Sequence, residues 1–289
     1  MRGEDLLDSA PEDIFEAGLA HMGIESDTAL IDGCMIHLHE VMRWNPRVRL
    51  VSEADPRLIV VRHLLDSLSI HSVLDGLLEE GRAGGDGMPS NPVGPGKPAG
   101  SAGHVSPADG PSGGPAGGPG PFRIADAGSG GGFPGIPLAL MYPRVSAVLI
   151  ERKTKKAAFL RSVAGVLGLR ERVTVFEGDV REARGPFPVV ICRAFRPISE
   201  AYHQLCGLLP SEGGSLLFYA GTREKIDAEL EELAAGSGGA AATGGPKGTG
   251  GPASNGDRAN TRGGPEDIGG RPAATPQGVP EPRVIPLDV

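Results

Sequence analysis

The chain has 289 residues and a formal net charge of −8, which argues against a protein that coats nucleic acid without specificity. Its 46 glycines and 27 prolines, about a quarter of the residues, concentrate in residues 81–121 and 236–282 and keep no three-residue period, which excludes collagen. The rest has the composition of one globular domain of about 200 residues, so the two segments are predicted to be disordered inserts.

Neither a membrane anchor nor a secretory signal is expected from the sequence. No apolar run reaches the length of a membrane span, and the acidic N-terminus lacks the hydrophobic stretch of a signal peptide. The three cysteines, Cys34, Cys192 and Cys206, are an odd number without metal-type spacing, which predicts reduced thiols. We therefore expect a cytoplasmic protein with no membrane contact and no bound metal.

Charge is distributed unevenly along the chain. Residues 1–32 carry nine acids against one arginine, whereas residues 43–62 carry five arginines against two acids. Residues 144–184 carry ten lysines and arginines against five acids. A basic face on an acidic protein can bind phosphate, but ordinary solvated helix surfaces give the same pattern. Charge alone leaves both interpretations open.

The N-terminal part of the chain, residues 1–80, is predicted to be helical. Apolar residues recur at helical spacing over 11–42, and Asn45-Pro46 is expected to end the second helix. A further helical stretch is predicted over 57–79. These helices should form an appendage to the main domain, without a large core of their own.

Residues 122–235 alternate short apolar strands with helical stretches, which is typical of an α/β domain with an open, mostly parallel, Rossmann-like sheet. Five strands are predicted, at 122–126, 145–150, 173–176, 189–191 and 215–219, and a last strand is considered for 283–289. In such sheets ligands bind at the carboxyl ends of the strands. Four segments should therefore converge: 126–135, 151–155, 178–180 and 192–195.

The strongest signal is the glycine-rich segment that begins at Asp126, between the first strand and its helix. A dinucleotide fingerprint would need a glycine where Phe133 stands. The spacing Asp-x-Gly-x-Gly-x-Gly instead resembles motif I of class I methyltransferases, which use S-adenosyl-L-methionine (SAM). A carboxylate at Asp126 can pair with the ammonium group of SAM, and glycine backbone allows its close approach.

Two further acids follow strands and fit the same cofactor. Glu151, 19 residues beyond Gly132, can accept hydrogen bonds from both ribose hydroxyls. Asp179 can hold the adenine amino group, although a Gly-Asp pair also makes a simple turn. The predicted cofactor-binding set is Asp126, Gly128, Ser129, Gly130, Gly132, Phe133, Glu151, Asp179 and Val180.

Four stretches outside the glycine-rich segment carry further motifs: Trp44-Asn45 with Asp55-Pro56, Arg62-His63 with Asp66-Ser67, Lys155-Lys156 with Phe159-Leu160-Arg161, and Arg193-Ala194-Phe195. Together with residues 126–139, they resemble the bacterial small-subunit rRNA guanine-N7 methyltransferases, the glucose-inhibited division protein B family. The resemblance covers roughly residues 35–78 and 122–235.

The chain departs from the family at Arg49-Leu50-Val51, where Asn-Leu-Thr is usual, and at Ala220, where a lysine is usual. A contact to RNA or cofactor is then lost, or supplied by Arg49 or Arg223.

The resemblance implies SAM-dependent methylation of guanine N7 in 16S rRNA, by a monomer that acts on the rRNA or on a small-subunit assembly intermediate. It assigns His63, Asp66, Ser67 and Arg193 to the substrate side. The first three lie at i, i+3 and i+4 and therefore share one helical face. Taken alone, such a trio is more often a set of helix-surface hydrogen bonds than a catalytic group, and Arg193 is equally an ordinary salt bridge. Core packing is expected for Trp44.

Guanine N7 has a free lone pair, so the reaction needs alignment and placed charge, with no general base. The sequence after the fourth strand also lacks the Asn/Asp-Pro-Pro-aromatic motif typical of amino-group methyltransferases. Three alternatives stay open: a noncatalytic regulator that binds SAM or a nucleotide, a methyltransferase for another RNA or a small molecule, and a dinucleotide oxidoreductase.

Overall fold

A computed structural model of the chain describes residues 9–25, 27–83, 122–193, 197–219 and 223–237. Apart from their first few residues, the two predicted inserts lie outside the described residues. The strand considered for 283–289 and Ala220 lie outside them as well.

The N-terminal part is helical, as predicted, with α1 at Pro11–His21 and α2 at Thr28–Val48. The predicted end of α2 at Asn45-Pro46 is wrong, because the helix continues to Val48. Pro46 lies in the last turn, where its fixed φ suits a helix and only one backbone hydrogen bond is lost. The chain then leaves at Arg49, in the left-handed conformation with φ 54°. After Arg49, the N–H groups of Leu50 and Val51 donate hydrogen bonds to the side-chain oxygen of Asn45.

The helical stretch predicted over 57–79 is present, but it is divided. It consists of α3 (Pro56–Ile59), a π-helical segment (Val60–Leu65), α4 (Asp66–Leu68) and α5 (His71–Ala83). π-Helical turns are rare and frequently occur at functional sites.

The α/β part is an open sheet of five parallel strands in the order β3-β2-β1-β4-β5, which confirms the predicted fold class. All five strands lie within two residues of their predicted bounds. The order reverses next to β1, so the carboxyl ends of β1, β2 and β4 surround the expected ligand crevice. The elements are β1 (Phe122–Ala127), α6 (Gly135–Met141), β2 (Val145–Glu151), α7 (Thr154–Val166), β3 (Val173–Glu177), β4 (Val189–Arg193), α8 (Ile198–Cys206), β5 (Ser215–Tyr219) and α9 (Arg223–Ser237).

One hydrophobic core joins the N-terminal helices to one face of the sheet: Phe15 and Leu64 belong to the same buried cluster as Ile124 and Leu149. The opposite face packs on α8 through a second cluster. The N-terminal helices thus have no separate large core, as predicted, and Trp44 packs against Phe159 with ring centroids 5.8 Å apart. Within the described ranges, no helix combines the length and the apolar composition that crossing a bilayer requires.

Candidate active site

The glycine loop between β1 and α6 depends on residues without side chains. Gly128, Gly130 and Gly132 all have positive φ angles, of 80°, 54° and 84°. A Cβ atom on Gly132 would lie 2.9 Å from Ile136 Cδ1 and 3.1 Å from His37 Nε2. The loop can therefore adopt this conformation only with glycine at these positions.

Asp126 is the penultimate residue of β1, directly before this loop, and is 1% exposed. Its Oδ2 accepts a hydrogen bond from the Gly135 N–H at 3.1 Å, while its Oδ1 is buried and has no partner among the described residues. Burial is the main reason that the pKa of this carboxyl rises to about 6. A buried oxygen without a donor is rare in folded proteins, and it fits a site that a ligand donor completes.

Glu151, at the end of β2, connects the glycine loop to α7. Its Oε2 accepts from the Gly130 N–H at 3.0 Å and its Oε1 from the Lys153 N–H at 2.8 Å. Each carboxylate oxygen has a second lone pair, so both can also accept from ligand hydroxyls.

Gly128, Gly130 and Glu151 line an open pocket of about 200 Å³, and Asp126 lies buried outside its lining. Three of the four segments predicted to converge do meet here. Asp179 lies in the pocket wall, and its carboxylate also accepts hydrogen bonds from Arg181. The pocket is lined by Gly128, Gly130, Ile150, Glu151, Arg152, Lys153, Lys156, Gly178, Asp179 and Val180.

Lys156 is a pocket residue that we did not predict as a site residue. It is half-buried on the first turn of α7, where burial lowers the pKa of its ammonium group. The Lys155-Lys156 pair of the family resemblance was the signal that could have identified it.

Of the fourth segment, 192–195, the structure describes Cys192 and Arg193, and residues 194–195 lie outside the described residues. Arg193, the last residue of β4, places its Nε 2.8 Å from Asp66 Oδ2 and donates to His63 Nδ1 at 2.9 Å. It also donates to the Arg62 carbonyl. The structure thus brings together three of the four residues predicted for the substrate side, and Arg193 holds both of the others.

The contacts of His63 define its tautomer. A guanidinium can only donate, so Nδ1 accepts from Arg193, and Nε2 carries the proton and donates to Glu53 Oε2 at 2.8 Å. Burial lowers the pKa of His63, which favours this neutral form. The hydrogen bond to His63 is the main reason that the pKa of Glu53 falls to about 2. Nothing in the sequence around Glu53, in a polar loop, had indicated this contact.

Ser67 differs from His63 and Asp66 in its burial: it is fully buried, whereas the side chain of Asp66 is 40% exposed. The Ser67 hydroxyl donates to the His63 carbonyl, and its own carbonyl accepts from the Tyr219 hydroxyl at 2.6 Å. Ser67 therefore supports the helix from inside.

The rings of His37 and His63 pack on either side of Phe133, which belongs to the glycine loop. Phe133 is 6% exposed and lies between His37 and His63, with ring centroids 4.5 Å and 5.1 Å away. His37 was not among the predicted site residues. Burial lowers its pKa to about 4, so it is neutral at physiological pH.

Comparison with known proteins gives one consistent result. The family model described as "rRNA small subunit methyltransferase G" (GidB) matches residues 119–242. A protein named ribosomal RNA small subunit methyltransferase G from Borrelia turicatae (strain 91E135) is 30% identical over 220 residues, which are 76% of this chain and 85% of the relative. The protein of the same name from Halorhodospira halophila is 33% identical over 229 residues, 77% of this chain and 84% of the relative. That from Cupriavidus necator is 30% identical over 223 residues, with 76% and 79% covered.

Proposed function

Because the chain belongs to the GidB family, rRNA small subunit methyltransferase G, we propose that it transfers a methyl group from SAM to N7 of a guanine in 16S rRNA. The observation that carries the proposal beyond family membership is the unpartnered Oδ1 of Asp126, buried beneath a loop whose conformation requires glycine. This arrangement fits a cationic ligand group that donates a hydrogen bond.

The described residues fit SAM part by part. Asp126 Oδ1 accepts from the ammonium group, and the backbone of the glycine loop borders the amino-acid portion. Glu151 accepts from the ribose hydroxyls, while Asp179 and Val180 border the adenine ring at the far end of the pocket. These assignments use the predicted cofactor-binding set without Ser129 and Phe133, which do not line the pocket, and add Lys156 beside Glu151.

When bound, SAM supplies an electrophilic methyl group on a sulfonium centre. Guanine N7 offers a lone pair at neutral pH, so the protein has no proton to remove. The neutral His63 agrees with this requirement, since its Nε2–H is already donated to Glu53. The contribution of His63, Asp66 and Arg193 is then to orient the base and to place charge beside the reacting pair.

The RNA substrate needs a positive surface, although the chain as a whole carries a charge of −8. Four exposed cations lie near the pocket and the glycine loop, and we call them the basic rim: Arg49, Arg152, Lys153 and Lys155. Arg49 is included because the next residue, Leu50, lies against the glycine loop: its Cβ would be 3.6 Å from a Cβ atom built on Gly131.

We infer a monomer that acts in the cytoplasm, where the ribosomal substrate is.

Reversing two charges of the basic rim is expected to weaken RNA binding specifically. The double variant Lys153→Glu/Lys155→Glu loses about two phosphate contacts, so the slope of log affinity against log salt should fall by about 2. The matched control is Arg144→Glu/Arg170→Glu, which makes the same charge change on exposed residues. These residues precede β2 and β3, at the amino-terminal ends of the strands and away from the pocket. Filter binding of 16S rRNA at several salt concentrations measures both. Equal slopes in the two variants would contradict the placement of the RNA.

Methyl transfer tests the function itself. Purified protein is incubated with radiolabelled SAM and either small ribosomal subunits, naked 16S rRNA or a small-molecule extract. We expect label in one of the two RNA samples, and we expect none in the small molecules. Tight SAM binding without transfer to any of them would instead support a noncatalytic regulator.

A further inference from the structure

His37 contacts the glycine loop from a distant part of the sequence. It lies on α2, is fully buried, and its Nε2 is 2.8 Å from the Gly131 carbonyl oxygen, 94 positions further along the chain. A carbonyl only accepts, so Nε2 carries the proton and donates. The other ring nitrogen, Nδ1, is buried and finds no partner in the part of the chain that the structure describes. His37 is thus a fully buried polar side chain that forms one hydrogen bond with the described residues.

The same imidazole ring also packs on the loop. It stacks on Phe133 with an interplanar angle of 27°, and its Nε2 lies close to where a Cβ atom on Gly132 would be. His37 therefore contacts three consecutive residues of the loop: Gly131, Gly132 and Phe133.

A loop of this composition needs outside support, because glycine has little conformational preference of its own. Other contacts hold its neighbours: Glu151 accepts from Gly130, and Asp126 accepts from Gly135. Both of these acids belong to the proposed SAM site, so their bonds are expected to adjust when ligand enters. The bond from His37 comes from α2, and no residue of α2 lines the pocket.

We propose that His37 is a positioning residue, which holds the glycine loop in its ligand-binding conformation through the Gly131 carbonyl and the ring of Phe133. The proposal rests on the proposed function, since the loop is taken to be the SAM-binding loop. His37 itself does not touch the ligand.

Two substitutions separate the hydrogen bond from the ring. His37→Gln keeps an N–H donor at about the position of Nε2 but removes the ring, whereas His37→Phe keeps a ring but removes the donor. We expect His37→Phe to raise the Kd and the KM for SAM about tenfold, with kcat within about twofold of wild type. His37→Gln should stay within about threefold in affinity.

The control for general destabilisation is Leu38→Ala, which truncates a buried side chain about 100° further around α2. Calorimetry with SAM, thermal melting, and hydrogen exchange of the amides of Gly130, Gly131 and Gly132 are measured on the full chain for each variant. We expect faster exchange of these three amides in His37→Phe only. Leu38→Ala should lower Tm and leave SAM affinity unchanged.

The outcomes distinguish this proposal from the proposed function. Wild-type affinity in His37→Phe, or an equal loss in Leu38→Ala, would overturn the role of His37 and leave the proposed function intact. Failure of the wild-type chain to bind SAM would overturn the proposed function, and loop exchange would then decide the role of His37: faster exchange in His37→Phe supports it, and unchanged exchange overturns it.

Discussion

Replacement of Glu151 by alanine is expected to weaken SAM binding by about 100-fold. The carboxylate is proposed to accept from the ribose hydroxyls, and it already holds the Gly130 and Lys153 N–H groups at 3.0 and 2.8 Å. Hydrogen bonds to a charged group contribute about 1.5 to 3 kcal/mol each, so losing two of them amounts to about 3 kcal/mol or more. Isothermal titration calorimetry with SAM measures the effect.

The sheet itself supplies the control for this variant. Glu177 ends β3 and pairs in register with Glu151, but it lies outside the pocket and forms an ion pair with Arg161 at 2.8 Å. Glu177→Ala removes the same side chain one strand away, and SAM affinity should stay within about threefold of wild type. If Glu151→Ala bound SAM as tightly as Glu177→Ala does, the assignment of Glu151 to the ribose would be wrong.

Asp126→Asn is expected to weaken SAM binding and, at the same time, to stabilise the protein without ligand. The pKa of Asp126 is raised from 3.8 to about 6 in the folded chain, so the folded state binds this proton more tightly than the unfolded state does. The carboxyl therefore lowers stability as pH rises from about 4 to about 6, and the loss persists above pH 6. Asparagine does not ionise and avoids this cost.

The gain should be about 2 kcal/mol at pH 7.5 and absent near pH 4. The rise of the pKa of Asp126 from 3.8 to about 6 corresponds to about 3 kcal/mol of unfolding free energy at pH 7.5. The asparagine NH₂ group, however, finds no acceptor among the described residues where Oδ1 now lies, and this offsets part of the gain. Urea unfolding at both pH values measures the difference. Asp32→Asn, on the exposed side of α2, makes the same charge change and should not alter stability in this way. Asp126→Asn protein that is less stable than wild type at pH 7.5 would contradict the assignment.

The same carboxyl gives SAM binding a pH dependence. Pairing with an ammonium group requires the ionised form, so below about pH 6 the wild-type Kd should rise about tenfold per pH unit. The affinity of Asp126→Asn should be low at every pH and lack this dependence. A wild-type affinity that is constant between pH 5 and pH 7.5 would argue against an ammonium partner for Asp126.

The sequence was sufficient for the sheet because its strands are short apolar runs bounded by glycine, proline and charged residues. The glycine loop was equally evident, since its motif follows β1 and precedes α6 directly. Local rules failed where tertiary structure overrides them: Pro46 fits inside the last turn of α2, and a π-helical segment interrupts the helical stretch predicted over 57–79. Neither effect is encoded in the spacing of nearby residues.

Long-range contacts explain the site residues that were not predicted. His37 lies among the apolar residues of α2, and its partner Gly131 is 94 positions away. Glu53 lies in a polar loop and accepts from His63, ten positions further along the chain. Contacts of this kind depend on packing between elements, which hydrophobic periodicity does not specify.

The most direct test of the proposed activity is a map of N7-methylguanosine in 16S rRNA from cells with and without this gene. We expect one such position that disappears when the gene is deleted, returns with the wild-type gene and with the Glu177→Ala variant, and returns weakly with Glu151→Ala. An unchanged N7-methylguanosine pattern in the deletion strain would contradict it.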